Sequence, residues 1–176
     1  VLLTSSAATG NQWYKDNVLI SGETNQTYTA TTSGSYTVVV TENGCPSLPS
    51  AATVVTVNAI PATPTITPGG PTTFCAGGSV LLTSSAATGN QWYKDNVLLS
   101  GETGQTYSAT TSGSYTVIVT ENGCPSLPSA ATVVTGNAIP ATATITPGGP
   151  TTFCAGGSVL LTSSAATGNQ WYKDNV

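Results

Sequence analysis

The sequence has 176 residues, of which only 3 are Lys or Arg and 7 are Asp or Glu. These charged residues make up 6% of the chain, against about 25% in ordinary soluble domains. His is absent, and with it the most common general base and metal ligand, so we expect no enzyme and no cofactor. A net charge of -4 and short apolar runs argue against nucleic-acid partners and membrane insertion.

A repeat organises the chain. The motif VLLTSSAATGNQWYKDNV begins at Val1, Val80 and Val159, which sets a period of 79 residues. Residues 1–79 and 80–158 differ at six positions: Ile20/Leu99, Asn25/Gly104, Thr29/Ser108, Val39/Ile118, Val57/Gly136 and Pro64/Ala143. Such a unit is too long for a solenoid rung and has the size of a small β-sandwich. We predict a partial repeat over 1–57 (strands B to G), a complete repeat over 58–136 and a partial repeat over 137–176 (strands A to C), cut from a longer chain.

Within the complete repeat, five segments rich in β-branched and aromatic residues predict strands. They are residues 79–85, 90–96, 105–111, 114–120 and 131–137. Turn-forming Gly, Asn and Asp separate them, as in KDN and ENG. Since no segment has a helical apolar stripe, the sequence predicts an all-β antiparallel sandwich.

SVLLTSS followed by QWYK, and TTSGSYTVIV further on, give the repeat a resemblance to the immunoglobulin superfamily. More narrowly, it resembles the bacterial tandem repeats of large secreted surface adhesins and filaments, such as those of gliding bacteria. The resemblance covers the whole repeat. It implies a string of sandwiches on the bacterial cell surface, with Trp92 at the strand C tryptophan and Tyr115 at the tyrosine corner of strand F. The implied core comprises Trp13, Trp92, Trp171, Tyr36, Tyr115, Val80, Leu82, Val117 and Val119.

The sequence departs from antibody domains at the two positions of their inter-sheet disulfide, which Ser84 and Val117 occupy. Each repeat instead has one cysteine before strand B and one at the F–G turn. The first kind comprises Cys75 and Cys154, and the second Cys45 and Cys124.

An even cysteine count without CxxC pairs favours disulfides over zinc. Two pairings stay open. A bond between Cys75 and Cys124 would lie within one repeat, but seven- to nine-residue strands would hold these residues roughly 20 to 30 Å apart, against the about 6 Å that a disulfide needs. A shifted strand A or G would bring them together. Alternatively, the bonds join adjacent repeats, with each partner outside this sequence.

The segments that join the repeats, residues 57–73 and 136–152, are rich in proline, which predicts stiff connectors that lead into strand A. One lysine per repeat, at Lys15, Lys94 and Lys173, stands in YKDN. This invites comparison with the Lys–Asn isopeptide bonds of bacterial pilins, although an exposed turn is the favoured interpretation. Isolated acids such as Asp95 and Glu121 do not form a calcium motif.

The tyrosine after each core tryptophan should face outward, at Tyr14, Tyr93 and Tyr172. Repeated every 79 residues, these rings form a candidate carbohydrate-stacking surface, although such a tyrosine more often only covers the sheet.

The sequence therefore predicts a structural segment of an extracellular filament or adhesin stalk, which gives reach and stiffness without catalysis. Its partners would be further copies of the same repeat in one long chain or filament. Two alternatives are a multivalent module that binds surface glycans and a fibre that self-assembles laterally, which low charge would permit.

Overall fold

The computed structural model describes residues 1–174, all of whose regular elements are β-strands. The first copy contains β1 Leu2–Thr4, β2 Asn11–Lys15, β3 Val18–Leu19, β4 Thr27–Thr29, β5 Gly34–Glu42, β6 Cys45–Pro46 and β7 Thr53–Val55. The second copy contains β8 Ile66–Pro68, β9 Thr73–Cys75, β10 Val80–Ser84, β11 Asn90–Lys94, β12 Val97–Leu98, β13 Thr106–Ala109, β14 Gly113–Glu121, β15 Cys124–Pro125 and β16 Thr132–Asn137. The third copy contains β17 Ile145–Pro147 and β18 Leu161–Ser163. Within the described chain, no helix is long and apolar enough to cross a bilayer.

The strands of the second copy form two sheets. One has the order β13-β10-β8, and the other has the order β12-β11-β14-β16-β9, with β15 paired to β14. All pairs are antiparallel except β9 with β16, which is parallel. This is the A-B-E and A′-G-F-C-C′ arrangement of an immunoglobulin-like sandwich, so the predicted fold class is confirmed.

The core of this sandwich lies between the two sheets. Alternate residues of each strand point inward, so that Val80 and Leu82 of one sheet meet Trp92 and Val117 of the other. The buried core cluster comprises Val80, Leu82, Trp92, Ala109, Tyr115, Val117 and Val134. Val119 is also buried, at 2% exposure. The apolar pattern of the sequence thus produces one dense core in the complete copy.

Two-residue turns connect the hairpins of this sheet. Asp95 and Asn96, with φ of 51° and 64°, join β11 to β12. Asn122 and Gly123, with φ of 48° and 79°, join β14 to β15. Positive φ at both central residues defines the type I′ hairpin, which favours Asn, Asp and Gly. The structure thus has turns at the positions where KDN and ENG predict them.

The first copy repeats this arrangement with fewer strands. Its sheets are β1-β4 and β3-β2-β5, with β6 and β7 each paired to β5. Trp13 and Tyr36 lie in its core with Leu3, Ala30 and Val55. The sheet register of the second copy is reproduced here, since Trp13 pairs with Val38 as Trp92 pairs with Val117.

The third copy differs from the other two. In its described part, which ends at residue 174, β17 and β18 are the only paired strands, and Trp171 is 48% exposed. The prediction that Trp171 lies in a core is therefore wrong for this chain. The sequence after Trp171 holds no copy of β14, so the segment equivalent to β11 has no partner strand to close over the indole ring.

Candidate functional site

The two residues that define the resemblance are held by specific hydrogen bonds. The Trp92 indole N–H donates to the Gly104 carbonyl oxygen at 2.9 Å. The Tyr115 hydroxyl donates to the Thr111 carbonyl oxygen, four residues upstream, at 2.8 Å. This second bond is the tyrosine corner. The buried polar atoms of Trp92 and Tyr115 thus have hydrogen-bond partners within the fold.

The positions of the missing inter-sheet disulfide are filled by packing. Ser84 is 1% exposed, and its hydroxyl accepts the Ala86 N–H at 3.2 Å. Val117 is fully enclosed opposite Trp92. Both positions are therefore buried without a disulfide between them.

Tyr107 completes the aromatic cluster, and the sequence reasoning did not single it out. Its ring centroid lies 5.8 Å from that of Trp92 and 5.6 Å from that of Tyr115. Burial first, then the neighbouring Tyr115 and then Glu102, raise the pKa of the Tyr107 hydroxyl above its ordinary value. The alternation of TYSA, in which Tyr107 and Ala109 share one face, was the signal that could have found it.

The outward-facing tyrosines were the predicted binding surface. Tyr14 and Tyr93 are half-buried, whereas Tyr172 is 70% exposed. A groove of about 340 Å³ runs beside the first of these rings and is lined by Tyr14, Asn17, Thr37, Val39, Ser47 and Pro49. An aromatic wall next to hydroxyl and amide groups has the chemistry to stack on a sugar and hydrogen-bond to it.

Two serines that precede β16, Ser126 and Ser129, continue the edge of the second sheet along β14. The Ser129 hydroxyl accepts the Val117 N–H at 3.1 Å, and the Ser126 hydroxyl accepts the Val119 N–H at 3.0 Å. Their own backbone N–H groups donate back to the carbonyl oxygens of the same two valines. The segment PSLPS, residues 125–129, thus supplies hydrogen-bond partners to the backbone of β14 where a regular strand would pair. This leaves fewer free backbone groups with which the strand of another chain could pair.

The four cysteines are unbridged, and in the second copy Cys75 and Cys124 lie at opposite ends of the sandwich. Cys124 pairs with Glu121 at the end of β14, and Cys75 pairs with Asn137 at the end of β16. From Gly113 to Glu121, β14 alone spans about 26 Å at 3.3 Å per residue. The strand register therefore separates Cys75 from Cys124 by far more than a disulfide spans.

Lys15 and Lys94 are the last residues of β2 and β11, directly before the predicted exposed turn, and are half-buried. The Lys15 ammonium donates to the Thr32 hydroxyl at 3.0 Å. The Lys94 ammonium lies 4.0 Å from a carboxylate oxygen of Asp95, and Lys173 lies 3.9 Å from Asp174. Among residues 1–174, no three His, Cys, Asp or Glu side chains cluster as a metal site would require.

Comparisons with known proteins give structural similarity only. No protein-family model matches the chain, and no curated protein matches it. Among solved structures, the N-terminal four Ig domains of Dscam1 isoform 9.44 are similar with a TM-score of 0.33 and 16% identity, over 78% of this chain and 40% of that one. Isoform 4.44 gives a TM-score of 0.33 and 16% identity, over 78% of this chain and 41% of that one. Isoform 6.9 gives a TM-score of 0.31 and 18% identity, over 73% of this chain and 37% of that one. The chain thus spans about two fifths of these structures, and its immunoglobulin-like fold is defined by its own strand order.

Proposed function

We propose that the chain is a structural segment of an extracellular filament or adhesin stalk on a bacterial surface. Near-identical sandwiches placed in series provide distance and stiffness. Their surfaces carry few charges, and the buried polar groups described above serve the core. The role requires no catalysis and no cofactor.

The observation that carries this proposal is the way in which the joint is anchored on both sides. The Val57 N–H donates to the Ser33 hydroxyl of the first copy at 2.8 Å. The Asn58 side-chain amide donates to the Asn122 carbonyl oxygen of the second copy at 2.9 Å. Contacts to both copies within two successive residues restrict the angle between them.

The remainder of the connector is also tied down. Pro64 is buried, and the Thr65 N–H donates to the Ser85 hydroxyl at 3.0 Å. Only residues 59–63 lie between these contacts and Asn58, and Pro61 fixes one φ angle among them. A short, proline-containing link with contacts at both ends acts as a semi-rigid spacer.

Small-angle X-ray scattering on reduced chains of two, three and four complete copies tests the proposal. We expect the maximum dimension to grow linearly, by about 30 to 40 Å per copy. Chains in which Pro61 and Pro64, and the equivalent Pro140 and Ala143, are changed to Gly at each joint are the matched control, and they should be shorter on average. A radius of gyration that grows as in a flexible coil, or a compact bundle, would overturn the proposal.

The groove beside Tyr14 supports glycan binding as a second candidate function. Several copies in one chain would raise a weak affinity for a surface polysaccharide by avidity. Retention of a three-copy chain on insoluble polysaccharide separates the two functions. Retention that is lost when Tyr14 and its equivalents are changed to Ala, but kept when Val54 and its equivalents are changed, would support binding. No retention would leave the structural role alone.

A further inference from the structure

We propose that each joint between consecutive repeats is closed by a disulfide. The bond joins the cysteine before strand B of one repeat, Cys75 in the second copy, to the F–G cysteine of the repeat that follows. This inference rests on the proposed serial arrangement of copies and specifies how one copy is fixed to the next.

The structure holds Cys75 next to the residue at which its own repeat ends. In the parallel pairing of β9 with β16, Cys75 lies opposite Asn137. The Ala76 N–H donates to the Asn137 carbonyl oxygen at 2.7 Å, which fixes this register at the exit of the chain. The thiol of Cys75 is exposed at that end of the sandwich.

Asn58 is the counterpart of Asn137 at the end of the first copy. The residue before each makes the same contact: the Val57 N–H donates to the Ser33 hydroxyl, and the Gly136 N–H donates to the Ser112 hydroxyl, both at 2.8 Å. The chain therefore follows the same path at the end of the first copy and at the end of the second. A cysteine equivalent to Cys75, in a complete first copy, would lie beside Asn58.

The F–G cysteine of the second copy lies at this same asparagine. The sulfur of Cys124 is 3.9 Å from the carbonyl oxygen of Asn58. The Asn58 side chain holds the turn that precedes Cys124 through its bond to the Asn122 carbonyl. At a joint between two complete copies, the asparagine that ends the first copy would therefore have two cysteine neighbours. One is the cysteine before strand B of the first copy, and the other is the F–G cysteine of the second copy.

The alternative pairing within one repeat conflicts with the strand register. Cys75 lies at the Asn137 end of the second sheet and Cys124 at the Glu121 end, with the whole of β14 between them. Joining them would require β9 to leave β16. The bond between repeats needs no change in strand pairing.

The chemistry requires an oxidant. Two thiols lose two protons and two electrons as the sulfur–sulfur bond forms. A disulfide-bearing thiol oxidant accepts both electrons by thiol–disulfide exchange and is reduced to its dithiol. The solvent exposure of Cys75 gives such an oxidant access to one of the two sulfurs.

The chain of 176 residues provides the first test, since the proposed partner of each of its four cysteines lies outside it. After dilute incubation in a glutathione redox buffer, alkylation and non-reducing peptide mapping, we expect no bond between any two cysteines of one chain. A bond between Cys75 and Cys124 would overturn the proposal.

A lengthened chain provides the positive test. Residues 159–176 are identical to 80–97, so adding a copy of residues 98–136 after Val176 completes the third repeat and supplies its F–G cysteine. We expect one bond, between Cys75 and this added cysteine. Trypsin cleaves after Lys94 and Lys173, which places Cys75, Cys124 and the added cysteine on three different peptides.

Variants of the lengthened chain control this assignment. Cys75→Ser should abolish the bond, and Cys154→Ser should leave it intact, because the partner of Cys154 would belong to a fourth repeat. Circular dichroism verifies that each variant keeps its β structure. A folded chain in which Cys75 stays unpaired, or in which the bond survives Cys75→Ser, would contradict the crosslink.

The crosslink and the stalk fail in different ways. Scattering is measured on reduced chains, so the in-line arrangement is judged without any disulfide. If the copies are arranged in line but Cys75 is unpaired, only the proposed crosslink is overturned. If Cys75 is bonded but the copies collapse onto one another when the chain is reduced, the crosslink is supported. The proposal that the joints are stiff without a disulfide is then overturned.

Discussion

The same sequence has two different structures in this chain. Residues 80–95 form β10 and β11 and enclose Trp92 completely. Residues 159–174 are identical in sequence, yet only Leu161–Ser163 forms a strand, and Trp171 is 48% exposed. Local propensity is equal in both segments, so the difference comes from their partner strands.

The first copy shows that this effect is graded. It has the counterparts of β13, β14 and β16, but its sequence begins at Val1, without the counterparts of β8 and β9. Trp13 is 4% exposed there and Leu3 9%, against 0% for both Trp92 and Leu82. The strands that follow strand C, which the first copy has and the third lacks, are therefore the partners that bury the tryptophan, and strand A improves its enclosure and that of Leu82.

The largest expected effect is a difference between two tryptophan variants. Trp92→Ala removes the largest enclosed side chain and should destabilise the second copy by about 3 to 5 kcal/mol. Trp171→Ala, at an identical place in the repeat, should change stability by less than about 0.5 kcal/mol. Urea unfolding followed by circular dichroism measures both. Equal losses of stability in the two variants would contradict the claim that Trp92 is enclosed and Trp171 is exposed.

The tyrosine corner should have an intermediate effect. Tyr115→Phe keeps the ring but removes the hydroxyl that bonds the Thr111 carbonyl, which should cost about 1 to 2 kcal/mol. Tyr172→Phe, at a different place in the repeat and on a ring that is 70% exposed, is the control for loss of an exposed hydroxyl and should be neutral. If the two variants unfold at the same urea concentration, the corner bond contributes nothing.

The raised pKa of Tyr107 predicts a loss of stability in alkali. The folded chain holds this proton to a higher pH than the unfolded chain does, chiefly because of burial. The stabilisation is therefore complete below the unfolded pKa of about 10 and declines as the pH rises through the folded value. Tyr107→Phe should flatten this decline above about pH 10, and an unchanged pH dependence would refute this assignment.

The smallest effect is expected at the C–C′ turn. Asp95→Asn removes the ion pair with Lys94 but keeps an oxygen for the Ser114 N–H, which Asp95 accepts at 2.8 Å. Exposed ion pairs contribute about 0 to 1 kcal/mol, so this variant should be close to neutral. Asp95→Ala loses the hydrogen bond as well and should be the less stable of the two. If Asp95→Asn were the less stable variant, the ion pair with Lys94 would contribute more to the turn than the hydrogen bond does.

Much of this fold could be predicted from the sequence because the informative patterns are local. Alternation within β11 and β14 identifies Trp92 and Tyr115 as inward-facing, and Asn122–Gly123 identifies a tight turn. The short strands β8 and β9 are three residues each, too short for a periodic pattern, and β9 depends on pairing with a strand about sixty residues away. The contact of Cys124 with Asn58 depends on how two repeats meet, which no local pattern encodes.

The most direct test of the account is the exposure of Trp171 in the chain lengthened by a copy of residues 98–136. This addition supplies the missing counterpart of β14 and leaves the local sequence of Trp171 unchanged. Acrylamide quenching in a Trp13→Phe, Trp92→Phe background measures that indole alone. We predict that quenching falls from that of a half-exposed ring to that of a buried one. Unchanged quenching would contradict the claim that each 79-residue unit closes a sandwich around its own tryptophan.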